Sequence, residues 1–139
     1  MRRPPAPRVP VPSAVLDSSA LIALLMQEPG ADLVAAALDE GSAVICAANW
    51  AEVAGRLARS GIAAKTVRAA LAALDLEVIP LDADLALEAG LMEAETRALG
   101  LSLGDRCCLA LATREGGAVL TTDRAWLKWK GKAKVACIR

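Results

Sequence analysis

The sequence predicts an α/β fold: an open, mainly parallel sheet of about five strands with helices on both faces. Three observations carry this. Short aliphatic runs at residues 14–16, 43–46, 77–79, 118–121 and 134–138 read as strands, and longer Ala- and Leu-rich stretches between them read as helices. Turn formers mark the joins at Pro29-Gly30, Gly41, Gly61, Pro80, Gly100 and Gly116-Gly117. No internal repeat interrupts the alternation.

A chain of 139 residues fits one domain with a substantial core. That core must be aliphatic, since 55% of residues are hydrophobic but there is no Phe or Tyr, and Trp50, Trp126 and Trp129 are the only aromatics. Residues 1–12 hold Pro4, Pro5, Pro7, Pro10 and Pro12 and read as a Pro-rich disordered arm of polyproline type. Residues 13–139 then form a single domain.

In chain order, strand 14–16 leads into a helix from residue 18 to about 27, and a second helix spans 31–38. Strand 43–46 precedes a helix over 50–59, which pairs with a helix over 63–74 as a hairpin. After strand 77–79, strong helix formers predict one long helix from 84 to about 99, with Gly90 weakening its middle. A helix over 104–114 ends at Gly116-Gly117, strand 118–121 follows, and 124–127 form a helical turn before strand 134–138.

Four acids stand where strand gives way to helix or where a helix begins: Asp17, Glu52, Asp105 and Asp123. In a parallel sheet such positions gather at the carboxyl ends of the strands, where ligands of open α/β folds bind. Four converging carboxylates repel unless a hard cation lies among them, and oxygen-rich sites suit Mg²⁺ or Mn²⁺. With no histidine in the chain, carboxylates are the groups left for metal binding and acid–base work, which points to metal-assisted phosphodiester chemistry. Each acid also has a purely structural reading. Asp17 and Asp123 stand where N-caps stand, and Asn49-x-x-Glu52 and Ser102-x-x-Asp105 have capping-box spacing. A helix N-terminus favours negative charge in either case, so the two readings coexist. Beside the acids, Ser18 and Thr121 are placed to orient a carboxylate or hold water, although Thr121 also suits a strand end. Arg106 and Arg124 each adjoin an acid, to pair with it or with a phosphate, ion pairing being the commoner role.

The remaining composition excludes several classes. Net charge is zero, so whole-molecule attraction to nucleic acid is not implied. After Asp123, however, only cations follow: Arg124, Lys128, Lys130, Lys132, Lys134 and Arg139. That edge is either a phosphate-binding flank, through Lys128 among others, or a terminal strand with alternating solvated lysines. Cys46, Cys107, Cys108 and Cys137 lack zinc-site spacing and read as free thiols in a reducing compartment. No segment approaches a membrane span, and prolines rather than an apolar run follow Met1-Arg2-Arg3; the expected location is cytoplasmic. There is no G-x-x-x-x-G-K-[ST] loop. Ser19 stands where a haloacid-dehalogenase-like phosphatase needs a second acid, and Ser18 where a receiver domain needs one.

The chain resembles the PIN-domain ribonucleases, in particular the VapC-type toxins of toxin–antitoxin pairs. The matching pieces are Val15-Leu16-Asp17-Ser18-Ser19-Ala20-Leu21, Asn49-Trp50-Ala51-Glu52-Val53, Leu103-Gly104-Asp105-Arg106-Cys107-Cys108-Leu109-Ala110-Leu111-Ala112 and Leu120-Thr121-Thr122-Asp123-Arg124-Ala125-Trp126. The resemblance implies a PIN-like fold in which Asp17, Glu52, Asp105 and Asp123 bind one or two Mg²⁺ or Mn²⁺ ions. It implies endoribonucleolytic cleavage of transfer or ribosomal RNA by a metal-activated water, a homodimer, and a cognate antitoxin whose tail enters the active-site groove. The rival is a catalytically silent metal- or RNA-binding module on the same fold. Residues 1–12 have no counterpart in the pattern.

Overall fold

In a computed structural model of the chain, which describes residues 11–139, the five strands form one sheet. They are β1 (Val15–Leu16), β2 (Val44–Cys46), β3 (Glu77–Ile79), β4 (Val119–Thr121) and β5 (Val135–Cys137). The order is β3-β2-β1-β4-β5 and every neighbouring pair is parallel. Strand order runs outward from β1 in one direction and from β4 in the other. A topological switch point therefore lies between them, at the carboxyl end of the sheet.

The helices are α1 (Ser18–Leu25), α2 (Ala31–Asp39), α3 (Ala47–Arg59), α4 (Ala64–Ala72), α5 (Ala83–Leu91), α6 (Glu93–Thr96) and α7 (Leu103–Glu115). Strand side chains alternate between faces, and the two faces carry separate cores. Val15, Val44, Cys46, Ile79 and Val119 face Leu85 and Ala89 of α5, residues 107–112 of α7, and Trp126. Leu16 and Ile45 point the other way, onto Leu21 of α1, Val34 of α2, Val53 and Leu57 of α3, and Val67 and Leu71 of α4. Burying each such side chain contributes roughly 1.5–3 kcal/mol. Both faces are thus covered, which explains why the strands are aliphatic throughout rather than half polar. No helix of the described residues is long and apolar enough to cross a membrane.

Several boundaries differ from the sequence reading. The helix expected over 50–59 begins at Ala47, so Asn49 lies inside α3 and does not cap it. Glu52 accordingly sits in the second turn rather than the first. The long helix expected over 84–99 ends at Leu91 and restarts at Glu93, one residue beyond a continuous Gly90. In the short restarted segment Thr96 is buried, and its hydroxyl donates to the Met92 carbonyl at 2.8 Å and the Glu93 carbonyl at 3.4 Å, a back-bond that slightly destabilises and often bends helices. The alternating lysines are not on a strand. Lys128 closes a 3₁₀ turn (Arg124–Lys128), Lys130 and Lys132 lie in a loop, and β5 starts only at Val135. Of the expected disordered arm, residues 1–10 lie outside the described residues. Pro12 is buried, and a Cβ on Gly117 would meet its carbonyl oxygen at 3.1 Å, so the folded body starts before residue 13.

Candidate functional site

Asp17 follows β1 directly and caps α1, with Oδ1 accepting the Ala20 N–H at 2.7 Å. Its side chain is 3% exposed and receives two hydroxyls. Ser19 Oγ donates across both oxygens at 2.7 and 2.9 Å, and Thr121 Oγ1 donates to Oδ2 at 2.5 Å. Each hydroxyl in turn accepts a backbone N–H from beyond β4: Thr122 N–H to Ser19 at 3.0 Å, and Asp123 N–H to Thr121 at 3.1 Å. Two parallel relays therefore tie the Asp17 carboxylate to the end of β4 across the switch point. Thr121 does what its position promised. Ser18 lines the adjoining groove instead, and the hydroxyl on Asp17 belongs to Ser19, the second helical residue, which a capping Asp faces.

Glu52 and Asp105 meet through the start of α7. The Asn49 amide donates to Glu52 Oε1 and to the Gly104 carbonyl, each at 3.0 Å. Gly104 lets the Glu52 carboxylate stand where it does, since a Cβ would lie 2.6 Å from its carboxylate carbon and displace it. Asn49 is fully buried and its Oδ1 has no partner among the described residues. Asp105 completes the expected capping box: its N–H donates to Ser102 Oγ at 3.2 Å, and its Oδ2 accepts the Ser102 N–H at 2.9 Å. Asp123 caps the 3₁₀ turn through Oδ1, which accepts the Ala125 N–H at 2.9 Å. Capping was the correct reading at Asp17, Asp105 and Asp123, and it failed at Asn49–Glu52. Yet among the described residues Glu52, Asp105 and Asp123 each commit one oxygen, Oε1, Oδ2 and Oδ1, to the fold and keep the other.

The acids feel one another. Burial pushes the Asp17 carboxyl up to about 6, against its hydrogen bonds from Thr121, Ser19 and Ala20, and the charge of Asp105 adds to the rise. Asp105 is likewise raised, by burial first and then by the charges of Glu52 and Asp123, against its bonds with Ser102. The four carboxylates thus share one electrostatic site. Among the described residues, no three acids or thiols stand close enough together to hold an ion as they are. By donor type, all carboxylate with hydroxyl support and no soft ligand, the set fits a hard divalent cation.

A groove of ≈ 640 Å³ opens beside Glu52, Ser19 and Thr122, and Arg56, Arg59, Glu28 and Arg139 also line it. Of the cations singled out from sequence, Arg139 at the end of the basic run lines it, whereas Arg106, Arg124 and Lys128 do not. Nor do Arg106 and Arg124 enter any ion pair among the described residues, and Arg106 Nε is buried without a hydrogen-bond partner. The signal for the arginines was present: positions 52, 56 and 59 fall on one helical face. Cys46, Cys107 and Cys108 are buried free thiols behind this region, and burial pushes all three up and away from reactivity; Cys137 is free and half-buried.

Comparison with known proteins agrees with this architecture. The DNA-bound VapBC complex of Salmonella typhimurium contains a chain that superposes with a TM-score of 0.72 at 18% identity, covering 92% of this chain and 99% of that one. VapBC2 of Rickettsia felis, bound to a promoter DNA fragment, gives 0.70 at 15% identity, with 89% and 97% covered. VapBC-5 of Mycobacterium tuberculosis gives 0.54 at 25% identity, with 92% and 99% covered. No curated protein sequence matches the chain closely. The family profile of the PIN domain matches residues 14–132, nearly the whole described body, and the chain belongs to the PIN-domain family.

Proposed function

We infer that this protein is a metal-dependent endoribonuclease, the VapC-type toxin of a toxin–antitoxin pair. The observation that carries the reading is the electrostatic site at the switch point: the charge of Asp105 raises the proton affinity of Asp17, and Glu52 and Asp123 raise that of Asp105. Family membership and the VapBC complexes among its structural neighbours support the same reading. Asp17 and Asp105 are the principal ligands for Mg²⁺ or Mn²⁺, and Glu52 and Asp123 complete the set directly or through water. A bound divalent ion lowers the pKa of water and stabilises charge on a phosphate. The chain's own part is positional. Thr121 and Ser19 fix the Asp17 carboxylate, Asn49 holds one Glu52 oxygen, and the α7 N-terminus favours negative charge at Asp105. The natural substrates are RNA, of the transfer or ribosomal class, and the chain acts in the cytoplasm as a homodimer restrained by a cognate antitoxin.

One observation favours a second reading, a silent binding module: Asp105 turns back onto Ser102, and among the described residues no three acids converge. A single experiment separates the two. Total cellular RNA is incubated with purified chain and Mn²⁺ or Mg²⁺, with EDTA, and with Asp105→Asn, which keeps helix-capping ability. The nuclease reading expects discrete fragments that require both metal and Asp105. Cleavage that survives in Asp105→Asn, or no cleavage with metal bound, contradicts it.

A further inference from the structure

We propose that Arg56 and Arg59 of α3, together with Arg139, form the wall of the groove that grips the phosphate backbone of single-stranded RNA next to the bond that is cut. The proposal rests on the nuclease reading for what happens at the acids, but its own subject is the row of cations that continues from Glu52. Glu52, Arg56 and Arg59 follow a helical repeat, so one face of α3 carries an acid of the site and then two guanidinium groups leading away from it. Both arginines are exposed, and neither enters an ion pair among the described residues, in contrast to Arg97, Arg114 and Arg139. Arg139 is placed at the groove by its contacts with Glu28 and the Pro29 carbonyl, each at 3.4 Å. The chain reaches that point because Gly30 lets Ile138 pack where a Cβ would meet it at 2.7 Å.

The lining decides the kind of ligand. Apart from Ile22, Ala51 and Gly55 the groove presents hydroxyls, guanidinium groups and carboxylates, which suits a phosphodiester chain and gives an apolar peptide little to bury. Guanidinium forks match phosphate oxygens in geometry as well as charge. Along α3 the row runs from Glu52, an acid of the site, to Arg56 and Arg59, so a strand lying in the groove carries its backbone along the arginines and its scissile phosphate toward Glu52. RNA that is unpaired fits such an open groove, in keeping with the general preference for single-stranded targets.

The test measures binding of a fluorescent single-stranded oligoribonucleotide to the full chain in EDTA, across a range of salt, so that cleavage does not enter. Arg56→Ala and Arg59→Ala are expected to weaken binding several-fold each, and each to lower the slope of log K against log salt by about 0.7, the contribution of one phosphate on a single strand. Arg97→Ala, on an exposed pair with Glu93 that does not line the groove, serves as the control, and thermal melts check that the exposed substitutions leave the fold intact. In cleavage assays the same variants raise KM more than they lower kcat. An Arg56→Ala/Arg59→Ala double variant that binds RNA like the parent, with an unchanged salt slope, overturns the proposal while the nuclease reading stands. Lost RNA binding in a chain that cleaves nothing supports the wall and sinks the nuclease reading instead. Oligo-glutamate binding that disappears in the double variant while RNA binding persists would assign the groove to an acidic protein tail.

Discussion

At Asp17 two effects oppose each other. Two hydroxyls and one backbone N–H stabilise the carboxylate, burial disfavours it, and burial wins, lifting the carboxyl from 3.8 to about 6. Between those values the folded chain keeps a proton that the unfolded chain has released. The stabilisation from this group is therefore complete below the unfolded value and is lost as pH rises through the folded one, on the order of 3 kcal/mol in all. In EDTA, the parent should lose thermal stability between pH 4 and 7 relative to Asp17→Asn, read by melting both across that range. Equal pH profiles would show that Asp17 is not buried as described. Saturating Mn²⁺ should remove the difference, because the ionised form is the one a cation binds. Asn49 offers a second residue-level test. It joins Glu52 to Gly104 through one amide, so Asn49→Ala should lower cleavage about tenfold or more while an Asn49→Asp variant, which loses the donor and adds charge, lowers it further. Matching activity in all three would mean that Glu52 needs no support.

At the scale of elements, the approach of α7 to α3 is what assembles the site. Glycine at 104 leaves room for the Glu52 carboxylate, and the first turn of α7 then delivers Asp105 to the same place. Replacing Gly104 by Ala raises helix propensity by roughly 0.8–1 kcal/mol, yet its Cβ runs into Glu52. The expected outcome is a chain that melts within a few degrees of the parent but loses Mn²⁺-dependent activity at least tenfold; retained activity would show that the two helices separate freely. The packing under this junction is less forgiving. Leu109 and Leu111 are fully buried between sheet and α5, and Leu109→Ala should destabilise by about 2–5 kcal/mol in denaturant titration. Elements were largely legible in the sequence because aliphatic strands and Gly or Pro stops are local signals. What local signals do not carry is a side chain's distant or back-bonded partner: Asn49 has capping-box spacing but lies inside α3 and bonds to Gly104, far along the chain, and Thr96 back-bonds within a stretch of strong helix formers.

For the whole molecule, parallel strands force the acids that follow β1 and β4 to one end, and β1 and β4 are neighbours. The candidate acids could therefore be read from sequence by position alone. Their partners could not, since Ser19, Asn49 and the arginine wall depend on which helix face turns toward the crevice. Distant cations also misled: the C-terminal lysines are conspicuous as a run but do not line the groove, whereas Arg56 and Arg59 are inconspicuous and do. Cation binding should also stabilise the folded chain, by about 2.7 kcal/mol at a hundredfold excess over Kd, and this gain should vanish in Asp105→Asn.

The central claim is that the carboxylates act as one metal site. It is tested most directly by calorimetric titration of Mn²⁺ into the chain at pH 6 in buffers of different ionisation enthalpy, which reads both binding and proton release. The account predicts binding accompanied by release of a substantial fraction of a proton, both abolished in Asp17→Asn. Binding without proton release, equal binding by Asp17→Asn, or no binding at all would contradict it.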